Sequence, residues 1–231
     1  LPTRSSPQDE PTRQVSTVPA LYLLLALTIV SAVSLIYYGW RNGITPMPSS
    51  SAAARTMAEA ARSEMHKLES DGVDSSRRAD FPHVIEAGSG WGTTVCALAR
   101  TLPEARIVGY ENSPLPYLVS RLICSLLGFE NVELQLSDFR RADISAADIV
   151  VCYLFPGGMR QLAQQIQPDE SDRRQGPSAH GSSVDFHPEL ETPFRPSTPV
   201  VISNTFSLPG KKADRSIRTG DASLSEIFVY R

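Results

Sequence analysis

A glycine-rich stretch after a short apolar run holds the residues in this sequence that could do chemistry. Residues 84–92 read VIEAGSGWG, with an acid at Glu86 and glycines at every second position from Gly88. A helix-like stretch, 93–101, follows. This order predicts a strand, a tight turn and a helix start, which present backbone N–H groups and a positive helix end to a polar ligand. The spacing differs from the G-x-G-x-x-G of dinucleotide-binding turns, so the glycines alone do not identify the ligand.

Three acids stand at the ends of three predicted strands. Glu86 ends the first and would suit a ligand with a positive amino group. Glu111 ends the second, where an acid commonly takes ribose hydroxyls, and Asp138 follows the third. Each acid alone could equally be a solvated turn residue or a helix cap. As an ordered set with the glycine turn, they indicate one site at one edge of a sheet.

The elements that would position these residues alternate short apolar runs with amphipathic ones. Strands are predicted at 82–87, 106–111, 131–136, 148–153, 199–204 and 226–230, and helices at 93–101, 115–127 and 159–166. Such alternation predicts an α/β fold with a doubly wound, mostly parallel sheet covered on both faces. Ligands of such sheets bind at the carboxyl ends of the strands.

The N-terminal part of the sequence is typical of a segment that anchors a protein in a membrane. Residues 1–19 are polar and rich in Pro, Ser and Thr, and are predicted to be disordered. Residues 20–40 carry no charge, are long enough to cross a bilayer as a helix, and end in an aromatic group that includes Trp40. A cleaved signal peptide is the alternative, but this apolar run is longer than usual and ends in bulky residues. Flanking basic residues nearly balance, so charge does not predict the orientation.

Residues 41–81 are predicted as a linker containing a helix at about 51–70, which is rich in Ala, Glu and Arg. That helix could dock on the following domain or act as a spacer. The domain itself is predicted over 82–231. An insertion at 167–197, dense in Pro, Ser and charged residues, interrupts it and is interpreted as disordered, with a substrate lid as the alternative.

Composition excludes some classes of function. The net charge is −3, which gives no global basic field for nucleic acid. The three cysteines, Cys96, Cys124 and Cys152, each lie in an apolar run and are expected to be buried, reduced thiols. The four histidines form no ligand spacing with cysteines or acids, so no metal site is expected.

From 82 to 231 the sequence resembles the class I S-adenosylmethionine-dependent methyltransferases. Residues 84–92 are similar to their first motif, E-x-G-x-G-x-G. Tyr110-Glu111-Asn112 resembles their ribose-binding acid with its neighbour, and Ser137-Asp138-Phe139 their adenine-contacting motif. The resemblance implies a seven-stranded, Rossmann-like methyltransferase fold and S-adenosylmethionine as cofactor. The cofactor-binding residues it implies are Glu86, Gly88, Ser89, Gly90 and Gly92 at the methionine part, Glu111 and Asn112 at the ribose, and Asp138 and Phe139 at the adenine.

A narrower resemblance comes from residues 148–156, DIVVCYLFP, combined with the N-terminal apolar segment. The pair is similar to the small membrane-anchored protein-lysine methyltransferases of mitochondria and their bacterial relatives. This resemblance implies that Tyr153, Phe155 and Pro156 form the methyl-transfer site. The two aromatics could instead only pack in the core. The sequence departs from the pattern in its insertion and in lacking a convincing helix after Asn204.

The expected function is a single-pass, membrane-anchored S-adenosylmethionine-dependent methyltransferase acting on a protein lysine, with membrane proteins among the candidate substrates. Methyl transfer from a sulfonium is an in-line displacement that depends mainly on positioning. The catalytic domain is expected on the cytoplasmic or mitochondrial matrix side, because the donor is made in the cytosol. A small-molecule or lipid methyltransferase at the membrane, or a non-catalytic nucleotide-binding membrane module, are the alternatives.

Overall fold

A computed structural model describes residues 18–42, 48–70, 81–166, 198–220 and 225–231. The predicted insertion at 167–197 and most of the predicted disordered N-terminus lie outside the described residues. The helices are α1 Val18–Asn42, α2 Ser51–Ser70, α3 Thr93–Thr101, α4 Pro114–Leu126 and α5 Pro156–Ile166. The strands are β1 His83–Ala87, β2 Arg106–Glu111, β3 Val132–Leu136, β4 Ile149–Cys152, β5 Val200–Asn204, β6 Arg215–Arg218 and β7 Glu226–Tyr230.

The seven strands form one sheet in the order β3-β2-β1-β4-β5-β7-β6. The strands β1 to β5 pair in parallel, and β7 runs antiparallel to both β5 and β6. The predicted mostly parallel α/β sheet is therefore confirmed. The strand order reverses between β1 and β4, and their register brings the ends of β1, β2 and β4 level at Ala87, Tyr110 and Cys152. Such a reversal point is where sheets of this kind bind ligands.

The strand β6 was not predicted. Its sequence, Arg215-Ser216-Ile217-Arg218, has a single apolar side chain and therefore no apolar pattern that would predict a strand. It can form a strand nonetheless, because it lies at the edge of the sheet and buries little. It occupies the stretch after Asn204 in which the sequence showed no convincing helix.

Two apolar layers cover the sheet. Residues of α2, α3 and α4 form the core on one face, and residues of α5 form the core on the other. Helix α2 buries Ala53, Met57, Ala61 and Met65, which share one face at a spacing of four residues. It packs against α3 and reaches β5 and β7. Of the two alternatives for this helix, the structure shows docking: α2 is a layer of the domain that follows it.

A buried carboxylate on α2 binds side chains at the edge of the sheet formed by β7 and β6. Glu64 on α2 is 1% exposed and accepts hydrogen bonds from Lys67 Nζ at 2.8 Å, Arg215 at 3.2 Å and Arg231 Nε at 2.7 Å. These donors come from α2 itself, from β6 and from the residue after β7. Because three cations surround it, the carboxylate is well compensated for its loss of water.

Glu64→Gln is expected to lower the free energy of unfolding at neutral pH by about 2 kcal/mol, because charge-assisted hydrogen bonds are lost. Burial raises the pKa of Glu64, but the hydrogen bonds and charges of Lys67 and Arg231 outweigh burial and lower it below 4.5. The stabilisation is therefore present at neutral pH and lost as the pH falls below that value. Urea unfolding at pH 7 and pH 4 measures it. Glu59→Gln, on the exposed face of the same helix, should unfold like the parent, and equal effects of the two variants would contradict the assignment.

Helix α1 has the length and composition of a membrane span. Residues Val18–Arg41 form an apolar helix, and no residue in its most apolar stretch is buried. This helix includes the whole of the predicted span at 20–40. A signal sequence shares both properties. In its C-terminal half, Ser31, Ser34, Leu35 and Tyr38 are half-buried and share one helical face, and α1 contacts α4.

Candidate functional site

A cavity of about 190 Å³ opens where the strands β1 to β4 end. Ten of the twelve residues predicted for the site line it: Glu86, Gly88, Ser89, Gly90, Glu111, Asn112, Asp138, Phe139, Tyr153 and Phe155. The other two stand at helix starts, Gly92 at the N-cap of α3 and Pro156 as the first residue of α5. The structure thus brings the predicted motifs together around one space.

The turn after β1 depends on glycine for two different reasons. Gly88, Gly90 and Gly92 all have positive φ, which glycine adopts without strain. A Cβ on Gly92 would lie 2.8 Å from Ser120 Cβ on α4, so this glycine permits close packing of two helices. A Cβ on Gly90 would have no atom within 4 Å. Gly90 therefore presents bare backbone to the cavity, whereas Gly92 serves the packing behind the turn.

Glu111 ties the glycine turn to the start of α4. Its Oε2 accepts a hydrogen bond from the Gly90 N–H at 2.8 Å, and its Oε1 accepts one from the Ser113 N–H at 2.7 Å. Each carboxylate oxygen has a second lone pair. Glu111 can therefore hold the turn in shape and still accept hydrogen bonds from two hydroxyls of a ligand.

Glu86 is a buried acid, and one of its two carboxylate oxygens has no hydrogen-bond partner in the described part of the chain. The residue is 4% exposed, and the oxygen concerned is Oε2. Burial, with the charges of Cys96 and Glu111, raises its pKa well above 4.5, and a hydrogen bond from Thr94 opposes this only partly. The hydroxyl of Ser89 is also buried without a partner in the described part of the chain. Two orphaned polar groups beside one cavity indicate a polar, cationic ligand group there.

Asp138 is engaged by a residue that sequence reasoning missed. Its carboxylate accepts hydrogen bonds from Arg140 Nε at 2.8 Å and from the Arg140 backbone N–H at 3.0 Å. The side-chain hydrogen bond from Arg140 lowers the pKa of Asp138 despite its partial burial. Asp138 is thus ionised, and Arg140 shares the cavity wall with it. The signal in the sequence was the arginine two residues after the acid.

One aromatic residue of the cavity wall, Tyr153, pairs with a second ring that lies behind it. The Tyr153 ring, after β4, stacks on the Phe206 ring, after β5, with centroids 6.4 Å apart and planes at 18°. Tyr153 and Phe155 are half-buried on the cavity wall, which favours their site role over core packing alone. Phe206 was missed, although it follows β5 as closely as Tyr153 follows β4.

A strained turn places Phe206. Its N–H donates to Asn204 O at 2.7 Å, two residues back, and Thr205 between them has φ 67°. This is a γ-turn with positive φ, which is rare and strained for a β-branched residue. Neighbouring bonds hold it: Ser203 Oγ donates to Phe206 O and the Thr205 N–H to Glu226 O, both at 2.8 Å. Strain of this kind persists where the surrounding structure over-determines it, often at functional sites.

Cys152, next to the aromatic pair, is not an available nucleophile. It is buried, its thiol lies 3.7 Å from the sulfur of Met159, and burial raises its pKa to about 12. The thiol is therefore protonated at neutral pH and packs as a core residue. The other two cysteines are buried too, with their sulfurs 3.9 Å apart.

Further cavity-lining residues come from outside the predicted motifs. Trp91 lines the cavity from within the glycine turn. Arg41, Pro48 and Ser49 line it from the end of α1 and the chain that follows. These three give no signal in the sequence, because only the packing of α1 and α2 brings them to the sheet edge.

Comparison with known proteins gives one family. Residues 86–173 match the model of the ANTKMT methyltransferase domain, a protein-lysine methyltransferase family. No curated protein sequence matches the chain.

Solved structures of methyltransferases are among those that resemble this chain. An RNA methyltransferase from Salinibacter ruber, in complex with S-adenosyl-L-homocysteine, is 23% identical with a TM-score of 0.49, over 80% of this chain and 92% of that one. Mitomycin 7-O-methyltransferase MmcR is 14% identical with a TM-score of 0.43, over 64% of this chain and 48% of that one. PKMT2 from Rickettsia typhi, in complex with AdoHcy, is 17% identical with a TM-score of 0.37, over 56% and 22%.

Proposed function

We propose that this chain, an S-adenosylmethionine-dependent methyltransferase, transfers its methyl group to a lysine of a protein at a membrane. The observation that carries the proposal is the match of residues 86–173, which span the cavity from Glu86 to α5, to a protein-lysine methyltransferase family. Two further observations support the proposal: the apolar helix α1, and the aromatic pair of Tyr153 and Phe206.

The residues around the cavity fit the cofactor. Glu86, with its orphaned oxygen, would hold the ammonium of the methionine part, and the Ser89 hydroxyl would bond beside it. Glu111 would accept from the ribose hydroxyls. Phe139, beside the ionised Asp138, would meet the adenine. When bound, the cofactor supplies a methyl group on a positively charged sulfur.

The aromatic pair is proposed as the wall of the acceptor pocket. A lysine amine attacks only in its neutral form, and an apolar wall disfavours the ammonium form. Tyr153 and Phe206 offer ring surface for the side chain of the acceptor and for the methylated product, which is attracted to aromatic faces. Phe155 and Pro156 continue this wall into the start of α5. These residues orient the amine and exclude water.

The membrane part of the proposal rests on α1. An exposed apolar helix of 24 residues is long enough to span a bilayer, and Arg41 at its end lines the cofactor cavity. We place the catalytic domain on the cytoplasmic or matrix side, where the donor is available. The site would then open close to the membrane surface.

A transfer assay tests the acceptor. The full chain, reconstituted in detergent, is incubated with membrane extract and S-adenosylmethionine carrying a labelled methyl group, and proteins and lipids are then separated. The expected result is label in protein that is recovered as methyl-lysine after hydrolysis. Label in the lipid fraction would instead establish the lipid alternative. Binding of the cofactor without any transfer would establish a non-catalytic module.

Phe206→Ala is expected to lower kcat/KM for methyl transfer about fivefold, since an aromatic pair contributes roughly 1 kcal/mol beyond its buried area. The affinity for S-adenosylmethionine, measured by calorimetry, should stay unchanged. Phe228→Ala is the matched control, because Phe228 packs against the same core from β7, whereas Phe206 also stacks on the cavity-lining Tyr153. An equal loss of kcat/KM in both variants would show that Phe206 acts only through stability.

A further inference from the structure

Helix α4 exposes a row of leucines to solvent. Leu118, Leu122 and Leu126, here called the leucine face, are 59%, 59% and 78% exposed and follow each other at intervals of four residues. Leu127 and Leu136 continue the same apolar region. Among the described residues outside α1, Phe81 is the only other exposed large apolar side chain. Concentrated exposure of this kind marks an interaction surface.

The leucine face takes no part in the core. Helix α4 packs on the sheet through the opposite side, where Pro116, Ser120 and Cys124 are buried. Its one charged residue, Arg121, is exposed next to the leucines. Burying the leucines against something else would therefore cost neither a core contact nor a buried charge.

Helix α1 indicates what covers this face. Its half-buried residues lie between Ser31 and Tyr38, and α4 is the helix that α1 contacts. In a span that ends at Trp40, Ser31 lies roughly 13 Å inward from that end, at a rise of 1.5 Å per residue. The half-buried stretch of α1 therefore extends from a few Å to roughly 13 Å inward, and this range includes the boundary between headgroups and acyl chains. The leucine face is thus continuous with a surface that already meets lipid.

We propose that the leucine face of α4 lies in the surface of the lipid bilayer that α1 spans. An apolar helix face inserts to about 5–10 Å at the boundary of headgroups and acyl chains. Arg121 is exposed on α4 itself, and the exposed Arg41 and Arg141 line a groove with Leu136. Arginines at such positions can meet lipid phosphates. This inference rests on the proposed anchor and adds to it a second contact, which fixes how the catalytic domain faces the membrane.

A tryptophan placed on the leucine face tests the contact. The full chain carrying Leu122→Trp is reconstituted in vesicles of phosphatidylcholine and phosphatidylglycerol, with and without bromine on the acyl chains. Arg160→Trp is the control, because α5 covers the opposite face of the sheet and Arg160 is exposed there. The emission of the unmodified chain, from Trp40 and Trp91, is subtracted. We expect several-fold stronger quenching by brominated lipid for Leu122→Trp than for the control.

The outcomes separate this inference from the proposed function. Flotation of the unmodified chain with vesicles reports the anchor, and failure to float removes both. Flotation with equal, weak quenching of the two tryptophans overturns the lipid contact and leaves the anchor standing. Quenching that appears only when lipid is brominated at the far end of the acyl chain would also overturn an interfacial position. Leu118→Trp, one turn away, repeats the measurement if the first variant fails to bind S-adenosylmethionine.

Discussion

Gly90→Arg is expected to abolish the binding of S-adenosylmethionine. The φ of Gly90 is 53°, and the position of its missing Cβ has no atom within 4 Å, so the arginine would extend into the cavity. A guanidinium there would meet Glu86 and Glu111 and take the place of the cofactor's own cationic group. Titration calorimetry should show no binding heat at cofactor concentrations that saturate the parent.

The matched control for this substitution is Gly210→Arg. Gly210 also has a positive φ, 75°, and open space at its Cβ position, but it does not line the cavity. Both variants bear the same backbone strain of about 1–2 kcal/mol. The control should therefore bind like the parent. Normal binding by Gly90→Arg would show that the cofactor does not occupy this cavity.

Glu86→Gln is expected to weaken cofactor binding at least about thirtyfold, because removing one partner of a buried charge pair costs about 2–5 kcal/mol. The raised pKa of Glu86 adds a pH signature. In the parent, affinity should increase as the pH rises and Glu86 ionises, and binding should release a proton. In the variant, both effects should vanish. Calorimetry in two buffers of different ionisation enthalpy measures the released proton.

The same substitution should stabilise the protein without cofactor. Since the pKa of Glu86 is raised on folding, the folded state binds the proton more tightly than the unfolded state. The contribution of the Glu86 carboxyl to the free energy of unfolding therefore falls as the pH rises above about 4.5. The amide has no such dependence, so the variant should unfold at higher urea than the parent at pH 7 and equally at pH 4. Glu104→Gln, at an exposed position outside the cavity, should change neither binding nor this difference. Unchanged affinity in Glu86→Gln would contradict its role.

Helices and strands that coincide with apolar stretches between glycines, prolines or polar residues could be predicted from the sequence. The bounds of α2, α3, β2 and β7 match the predicted ones, because each run ends at a glycine, a proline or a charge cluster. The glycine turn and the acids after β1 to β3 could be placed at one sheet edge because parallel strands end there. That argument needs only topology. The further cavity-lining residues Asn112, Phe139, Tyr153 and Phe155 were instead implied by the family resemblance.

What could not be predicted depends on tertiary contact. Phe206 belongs to the site through its stacking on Tyr153 and through a strained turn that no propensity favours. The docking of α2 brings Glu64 to Arg215 and Arg231, which come from distant parts of the chain. Arg41 and Ser49 reach the cavity through the contact of α1 with α4 and the packing of α2 on the sheet.

For the proposed function, the short connection after α1 would limit which acceptor lysines the site can reach. Arg41 and Pro48 both line the cavity, and the five residues 43–47 join α1 to Pro48. Five residues span at most about 18 Å, so the site cannot move far from the end of α1. With α1 in a bilayer, acceptors would be selected by the height of their lysine above the headgroups. The rate would then follow the surface density of enzyme and acceptor, and dilution with added lipid would slow it at constant bulk concentration.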